Sequence, residues 1–250
     1  LFHADLAGRP AAALAGVPRL VHTVHVAEAR WRPWRTAWAR LAAPWCDRIV
    51  CVSQAVQRDH ARRARLPADR YTVIPNGIDA DAYAHDPAGR RRLRRQWGAG
   101  TDTFVVAFVG RLDVQKGVDT LLDAWDRRSP AGPRLLVIAG DGPLRTLVRR
   151  RAAARPDVRC LGHVDDVPGV LSAADALAMP SRWEGFGLAA AEAMAAELPV
   201  VATRVAGLEE VVGPAGVLVR PEDPPALAEA LAALAADPQR RRALAAAGRD

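Results

Sequence analysis

The sequence predicts a doubly wound α/β protein, on two observations. From Arg19 onward, nine short apolar runs alternate with helical stretches, the order that lays helices on the faces of a parallel sheet. Several of those runs are apolar at every position rather than at alternate ones, as burial on both faces of such a sheet requires. In chain order, strands are expected at 20–25, 48–52, 71–74, 104–109, 135–139, 158–161, 176–179, 200–203 and 217–219, with helices at 53–63, 117–127, 144–154, 187–196 and 224–236. The runs FVVAFV, LLVIA, ALAM and VVAT show the continuous apolar character most plainly. Further helical patterns open the chain at Leu1 and close it at Asp250; without an initiating Met, the chain reads as a fragment.

A break interrupts the alternation at Pro75-Asn76-Gly77-Ile78-Asp79. Pro75 fixes its own φ and holds Ile74 extended, while Asn76-Gly77 favours a tight turn. Two domains are expected, 1–79 and 80–250.

Charge divides near the same place. The chain carries 35 basic and 28 acidic side chains, a net +7. Residues 1–74 hold 12 Arg and 5 acids, and the remainder is balanced at 23 of each sign, so the first third carries all the excess. Nucleic acid, an anionic membrane surface or a phosphorylated substrate could each use such a patch. Of the cations 34 are Arg, and Ala supplies 52 residues, a bias that suggests a GC-rich, bacterial genome; against it the one lysine, Lys116, stands out.

Half of the 250 residues are apolar, enough for a sizeable core without disulfides or metals, and collagen, coiled coil and disorder are excluded. No run approaches the roughly eighteen uncharged apolar residues of a spanning helix, and no basic-then-apolar leader opens the chain, so a cytosolic protein is expected. Cys46, Cys51 and Cys160, odd in number and without C-x-x-C spacing, are expected as buried, inert thiols.

The strongest site signal is Val109-Gly110-Arg111-Leu112-Asp113-Val114-Gln115-Lys116-Gly117. It follows an apolar strand and opens a helix, so the helix N-terminus, Arg111 and Lys116 are expected to converge at the carboxyl edge of the sheet. Backbone donors, dipole and two cations make an anion site suited to a diphosphate. The plain alternative is a solvated loop, and the placement of the sole lysine weighs against it. A second signal is Pro180-Ser181-Arg182-Trp183-Glu184-Gly185-Phe186-Gly187-Leu188, continuing through Ala191-Glu192-Ala193. Gly185 and Gly187 remove side chains where a backbone must approach a ligand, and the following helix aims its free N–H groups outward. Glu184 and Glu192 could each accept hydrogen bonds from sugar hydroxyls; a helix-start charge and a solvated helix residue fit the spacing equally well.

His22 and His25 spell an H-x-x-H. Residues i and i+3 of one strand face opposite sides of a sheet, so no shared metal ion is expected, and a lone strand histidine is more often structural. Trp31, Trp34, Trp38, Leu41 and Trp45 recur at helical spacing, with Arg30, Arg32, Arg35 and Arg40 between them; Pro33 confines the helix to begin near that residue. Packing on the domain is the preferred reading, and an interfacial helix at an anionic membrane is the alternative.

In order, HTVH, VIPNGID, VGRLDVQKG, AGDGPL, LGHVDDV, PSRWEGFGLAAAEAMA, VVATRVAGLEEVV and GVLVRPEDPPALAEAL resemble glycosyltransferase family 4, retaining nucleotide-sugar transferases of GT-B architecture, from about His3 to the C-terminus. The resemblance implies two facing Rossmann-like domains, the N-terminal one incomplete and holding most of the acceptor site, the C-terminal one holding a UDP- or GDP-sugar. Arg111 and Lys116 match the diphosphate-binding pair; Glu184 and Glu192 match the E-x7-E motif, near the transferred sugar and on the ribose respectively. The resemblance also assigns Gly110, Gly140, Gly142, His163, Val164, Gly185, Phe186, Gly187 and Leu188 to donor binding, and places His25 near the sugar. It implies no cofactor and an acceptor that is a sugar, a lipid-linked sugar or a polyol, in cell-envelope glycan, glycolipid or exopolysaccharide synthesis. A cytoplasmic protein, peripheral on the inner face of the plasma membrane through its basic Trp-rich domain, is expected.

Asp79-Ala80-Asp81 spells the D-x-D of metal-dependent transferases of another fold, but its place after a turn makes the match accidental, and no catalytic metal is expected. Two features depart from the family: its opening strand and glycine-rich loop do not precede Leu1, and Glu209 stands where proline is frequent, so Glu210 aligns with the family's glutamate. The chain is therefore expected to bind a nucleotide diphosphate without turning over. A sugar phosphorylase or nucleotide-sugar epimerase shares the architecture, although a pyridoxal-phosphate enzyme needs a Schiff-base lysine outside the phosphate loop. A non-catalytic nucleotide-sugar binder or basic nucleic-acid binder is the reading from another class; the basic segment has no identifiable reading helix or stacking motif, so nucleic acid is not expected.

Overall fold

The structure, a computed structural model, describes residues 2–27, 31–127 and 132–249. The chain divides into two compact units, 1–77 with 183–186, and 78–182 with 187–250. The first unit ends at Gly77 rather than Asp79, and it takes in Trp183–Phe186, which the sequence reading places in the second domain.

In the first unit α1 (Phe2–Leu14), β1 (Val21–Val24), α2 (Pro33–Leu41), β2 (Arg48–Cys51), α3 (Gln54–Ala64) and β3 (Tyr71–Val73) follow in order. The strands form one parallel sheet ordered β1-β2-β3. Pro33 occupies the first turn of α2, where its missing N–H is no loss. Ser53 caps α3 by accepting from the Val56 N–H at 3.1 Å, and Arg65 ends the helix in the left-handed conformation. Cys46, Ile49, Cys51, Val52, Val56 and Tyr71 form a small core. The three cysteines are free; Cys46 and Cys51 are buried, Cys160 half-buried, and burial pushes the Cys51 thiol up to about 12, which makes it inert.

The tryptophan stripe does not form one helical face. α2 stops at Leu41, so Trp31 precedes it and Trp45 falls in a following 3₁₀ turn. Trp31 Nε1 donates to Thr36 Oγ1 at 2.9 Å and Trp38 Nε1 to Asp5 Oδ2 at 3.1 Å, whereas Trp34, Leu41 and Trp45 are 47%, 71% and 43% exposed. The stripe thus divides between packing and exposure; Arg30 lies outside the described residues.

The second unit contains α4 (Pro87–Trp97), β4 (Phe104–Val109), α5 (Val118–Trp125), β5 (Arg134–Ala139), α6 (Arg145–Ala153), β6 (Val158–Gly162), α7 (Val167–Ala173), β7 (Ala176–Met179), α8 (Leu188–Ala195), β8 (Val200–Thr203), α9 (Ala206–Val212), β9 (Val217–Val219), α10 (Pro224–Ala236) and α11 (Pro238–Arg249). Its parallel sheet is ordered β6-β5-β4-β7-β8-β9, the doubly wound order with its switch point between β4 and β7. Val105, Ala107, Leu135 and Val137 bury on one side of the sheet, and Val106, Phe108, Leu136 and Ile138 on the other. Because both faces are covered, alternation leaves no polar positions, which is why these strands read as continuous apolar runs.

Three helices of this unit, α4, α7 and α9, escape the sequence reading. α4 is rich in arginine, and two of its arginines, Arg90 and Arg94, are bonded internally. Arg94, only 7% exposed, gives Nη1 to Asp175 Oδ2 at 3.0 Å and Nη2 to the Gly100 carbonyl at 2.9 Å. Arg90 Nη2 reaches Asp175 Oδ1 at 2.5 Å, and Asp175 also accepts the Val105 N–H at 2.8 Å, which ties α4 to β4.

Candidate active site

The loops that leave β4, β5, β6 and β7 at their carboxyl ends are stitched together by backbone hydrogen bonds around the switch point, where open α/β sheets bind ligands. Leu112 donates to Asp141 O at 2.8 Å, Leu144 to Leu112 O at 2.8 Å, Gly140 to Gly162 O at 2.6 Å, and Arg182 to Gln115 O at 2.8 Å. Glycine is required at these crossings. A Cβ on Gly140 would overlap the Gly110 carbonyl oxygen and stand 2.9 Å from its carbon; one on Gly142 would stand 2.6 Å from Leu112 O; one on Gly117 would stand 3.0 Å from the Pro180 carbonyl carbon. Gly110, Gly140 and Gly142 also hold φ of +155°, +146° and +153°, values that side chains rarely adopt. The two glycines of AGDGPL are thus spacers for backbone contact, and Gly110 stacks directly on Gly140.

Arg111 and Lys116 are joined through Asp113. Arg111 Nε lies 2.5 Å from Asp113 Oδ2 with its side chain 64% exposed, and the Lys116 N–H donates to Asp113 Oδ1 at 3.0 Å. The carboxylate therefore orients the loop that carries both cations. Gly117 then caps the eight-residue α5 in the left-handed conformation, with no side chain on its first N–H groups. Arg182 braces this loop: it binds both oxygens of Asp119 at 2.8 Å each, Glu222 at 2.9 Å and the Val114 carbonyl at 2.8 Å. Burial pushes the Asp119 carboxyl up, but the Arg182 guanidinium more than offsets this and holds it below its ordinary value. Asp113, Asp119 and Arg182 are contributions the sequence reading missed: Asp113 ties Arg111 to Lys116 within one motif, while Asp119 and Arg182 bond between loops far apart in the chain.

Glu184 and Glu192 fall in different units. Glu184, 8% exposed, belongs to the first with Gly185 and Phe186. There Ser53 Oγ donates to Gly185 O at 2.7 Å, Phe186 packs on the small core, and a Cβ on Gly185 would stand 2.7 Å from the carbonyl carbon of His25. His25 is exposed and lies one residue beyond β1, so the alternation of strand faces no longer governs it. Both His22 and His25 line one cavity, which corrects the expectation that they face apart. Among the described residues no cluster of three or more His, Cys, Asp or Glu able to hold a metal ion is present.

In the second unit Glu192 sits within α8, half-buried, after Gly187, whose φ of +98° opens the helix at Leu188. The Tyr83 hydroxyl hydrogen-bonds to Glu192; burial, with that carboxylate beside it, pushes the tyrosine up to about 12. Tyr83 was not legible as a site residue, because only the fold brings it against α8. His163 is 79% exposed, its Nε2 3.5 Å from Asp165, and Val164 packs on the core of the unit.

The family model of the group 1 glycosyl transferases matches residues 103–237, and that of glycosyltransferase family 4 matches residues 1–82. The D-inositol 3-phosphate glycosyltransferase of Xylanimonas cellulosilytica is 37% identical over 81% of this chain and 52% of its own length. The GDP-mannose-dependent alpha-(1-6)-phosphatidylinositol monomannoside mannosyltransferase of Mycolicibacterium smegmatis is 34% identical over 96% of this chain and 67% of its own. The crystal structure of Anabaena HepE (Alr3699) in complex with UDP superposes with a TM-score of 0.84 at 27% identity, over 97% of this chain and 69% of that one. The chain thus spans from about half to about seven tenths of the length of these proteins.

Proposed function

We propose, since the chain belongs to the group 1 glycosyl transferases of glycosyltransferase family 4, that it is part of an enzyme that moves a sugar from a nucleotide-diphosphate sugar to an acceptor hydroxyl. The cations at the switch point carry this reading: Asp113 orients the loop that bears Arg111 and Lys116, directly before the uncapped start of α5. Breaking the bond between anomeric carbon and phosphate develops positive charge on the sugar and negative charge on the leaving diphosphate. Cations and backbone donors aimed at the diphosphate stabilise that transition state more than the ground state. In this reading they do so in place of a metal ion, and no cofactor takes part beyond the UDP- or GDP-sugar itself.

Glu192, steadied by Tyr83, accepts from the ribose hydroxyls, and Glu184 and His25 serve the sugar. With both glutamates engaged in binding, neither acts as covalent nucleophile; configuration is retained by same-face attack, with the leaving phosphate accepting the acceptor's proton. The relatives named for inositol 3-phosphate and phosphatidylinositol monomannoside support a polyol or glycolipid acceptor. In this reading the protein works in the cytoplasm, peripheral on the inner face of a bacterial plasma membrane.

Calorimetric titration with UDP and with GDP tests the donor site. One of the two binds, and Lys116→Ala weakens it about tenfold to a hundredfold through loss of a charge-assisted contact; equal affinity in both proteins removes the phosphate-site assignment. Hydrolysis of a panel of nucleotide sugars separates transfer from phosphorolysis and epimerisation. For the membrane, the exposed Leu41 and Trp45 beside the arginines of α2 predict that Leu41→Glu with Trp45→Ala lowers co-sedimentation with anionic vesicles by about tenfold. Unchanged sedimentation would put the membrane contact elsewhere.

A further inference from the structure

Arg182 is the last residue of the second unit before the chain passes to Trp183 in the first, and its side chain is 17% exposed. A guanidinium carries five N–H groups in a rigid fork, and here each of them has an acceptor. Nε donates to Glu222 Oε1 at 2.9 Å, Nη1 to the Val114 carbonyl and to Asp119 Oδ1 at 2.8 Å each, and Nη2 to Asp119 Oδ2 at 2.8 Å and Thr120 Oγ1 at 3.4 Å. The Arg182 backbone N–H donates to the Gln115 carbonyl at 2.8 Å. Val114 and Gln115 lead into Lys116, while Asp119 and Thr120 follow it in the first turn of α5. One residue thus holds the chain on both sides of Lys116. The segment before it is fixed in turn: the Ser181 carbonyl accepts from Thr203 Oγ1 at the end of β8.

The far anchor is strained. Glu222 adopts φ of +55°, a left-handed value uncommon for a residue with a side chain. Arg65 and Glu197 share it among the described residues, but they end α3 and α8, where that conformation is ordinary. Glu222 lies in the turn between β9 and α10 and ends no helix. Its side chain is 65% exposed, and an ion pair so open to water contributes little to stability. Stability therefore does not account for the strained backbone, whereas fixing the guanidinium does. Such strain gathers at functional sites.

We propose that Arg182 is a positioning residue for the diphosphate site: it fixes the backbone on both sides of Lys116 so that the ammonium group meets the phosphates, and Glu222 fixes Arg182. Electrostatic stabilisation of a leaving diphosphate demands charges placed in advance, which a loop free to move does not supply. The inference rests on the donor-site reading.

The test exploits Lys116 as the sole lysine: reductive ¹³C-methylation gives a single lysine signal in NMR. Calorimetry of the full chain compares UDP with UMP and GDP with GMP. In Arg182→Gln the affinity of the diphosphate that binds falls by at least about tenfold and that of its monophosphate by much less, and the Lys116 signal no longer moves when the diphosphate is added. Combining Arg182→Gln with Asp119→Asn removes the carboxylate that Arg182 faced; the melting temperature recovers and the affinity does not. Glu222→Gly relieves the left-handed backbone and removes the acceptor, so diphosphate affinity falls by about twofold to fivefold with no loss of melting temperature. The proposal is overturned if Arg182→Gln weakens diphosphate and monophosphate by the same factor, or if the double variant regains affinity along with its melting temperature. Unchanged affinity in Glu222→Gly removes Glu222 from it, and this variant decides should neither Arg182 variant fold. If the wild-type chain binds neither UDP nor GDP, the transferase reading fails and the ligand-free Lys116 signal still decides: the same position in Arg182→Gln as in wild type refutes the brace.

Discussion

Replacing Gly140 with alanine is expected to abolish nucleotide binding and to destabilise the second unit by about 3 kcal/mol or more. Two effects add. The residue holds φ at +146°, where a Cβ is strained, and that Cβ would overlap the Gly110 carbonyl oxygen, an atom of the neighbouring backbone that no rotamer change can move. Relief requires the loop after β5 to separate from the loop after β4, which carries Arg111 and Lys116. Thermal unfolding and UDP or GDP calorimetry both read the change. Gly77→Ala, at a glycine with nothing within 4 Å of its added carbon, is the control and should stay within about 0.5 kcal/mol. Normal affinity and melting temperature in Gly140→Ala would mean that the loops do not touch as described.

Asp175→Asn is the second large effect. Asp175 neutralises Arg90 and Arg94 and accepts the Val105 N–H, so the isosteric amide keeps the shape but leaves two cations, one of them 7% exposed, without a counter-charge. Removing one partner of such a buried pair typically costs about 3 kcal/mol, which for a unit of this size lowers the melting temperature by roughly 10 °C. α4 should lose amide-exchange protection first, with β4 following at higher temperature. An unaltered melting temperature would show that the network carries no net stability.

Strand positions were legible to within a residue or two because full burial writes itself as uninterrupted apolar sequence: β4, β7, β8 and β9 have the expected limits. Helices α4, α7 and α9 were not. α4 is stabilised by arginines that bond to Asp175, far along the chain, and α7 begins with Val167-Pro168-Gly169, which reads as a break until Asp166 is seen to accept the Gly169 N–H at 2.8 Å. In the candidate site, Gly110, Lys116, Gly140, Gly142 and Gly185 could be named from motifs. Arg182, Tyr83 and Ser53 could not, since each acts on a residue that only folding brings near.

By itself the sequence determined the doubly wound class and the uneven charge, both properties of local pattern and composition. Tertiary structure alone decided that Trp183–Phe186 belongs with the first unit, that the tryptophan stripe is divided, and that His22 and His25 share a cavity. The physical reason is the same in each case. Apolar periodicity reports which side of an element is buried, but hydrogen bonds and ion pairs between distant segments depend on distances that no local pattern encodes.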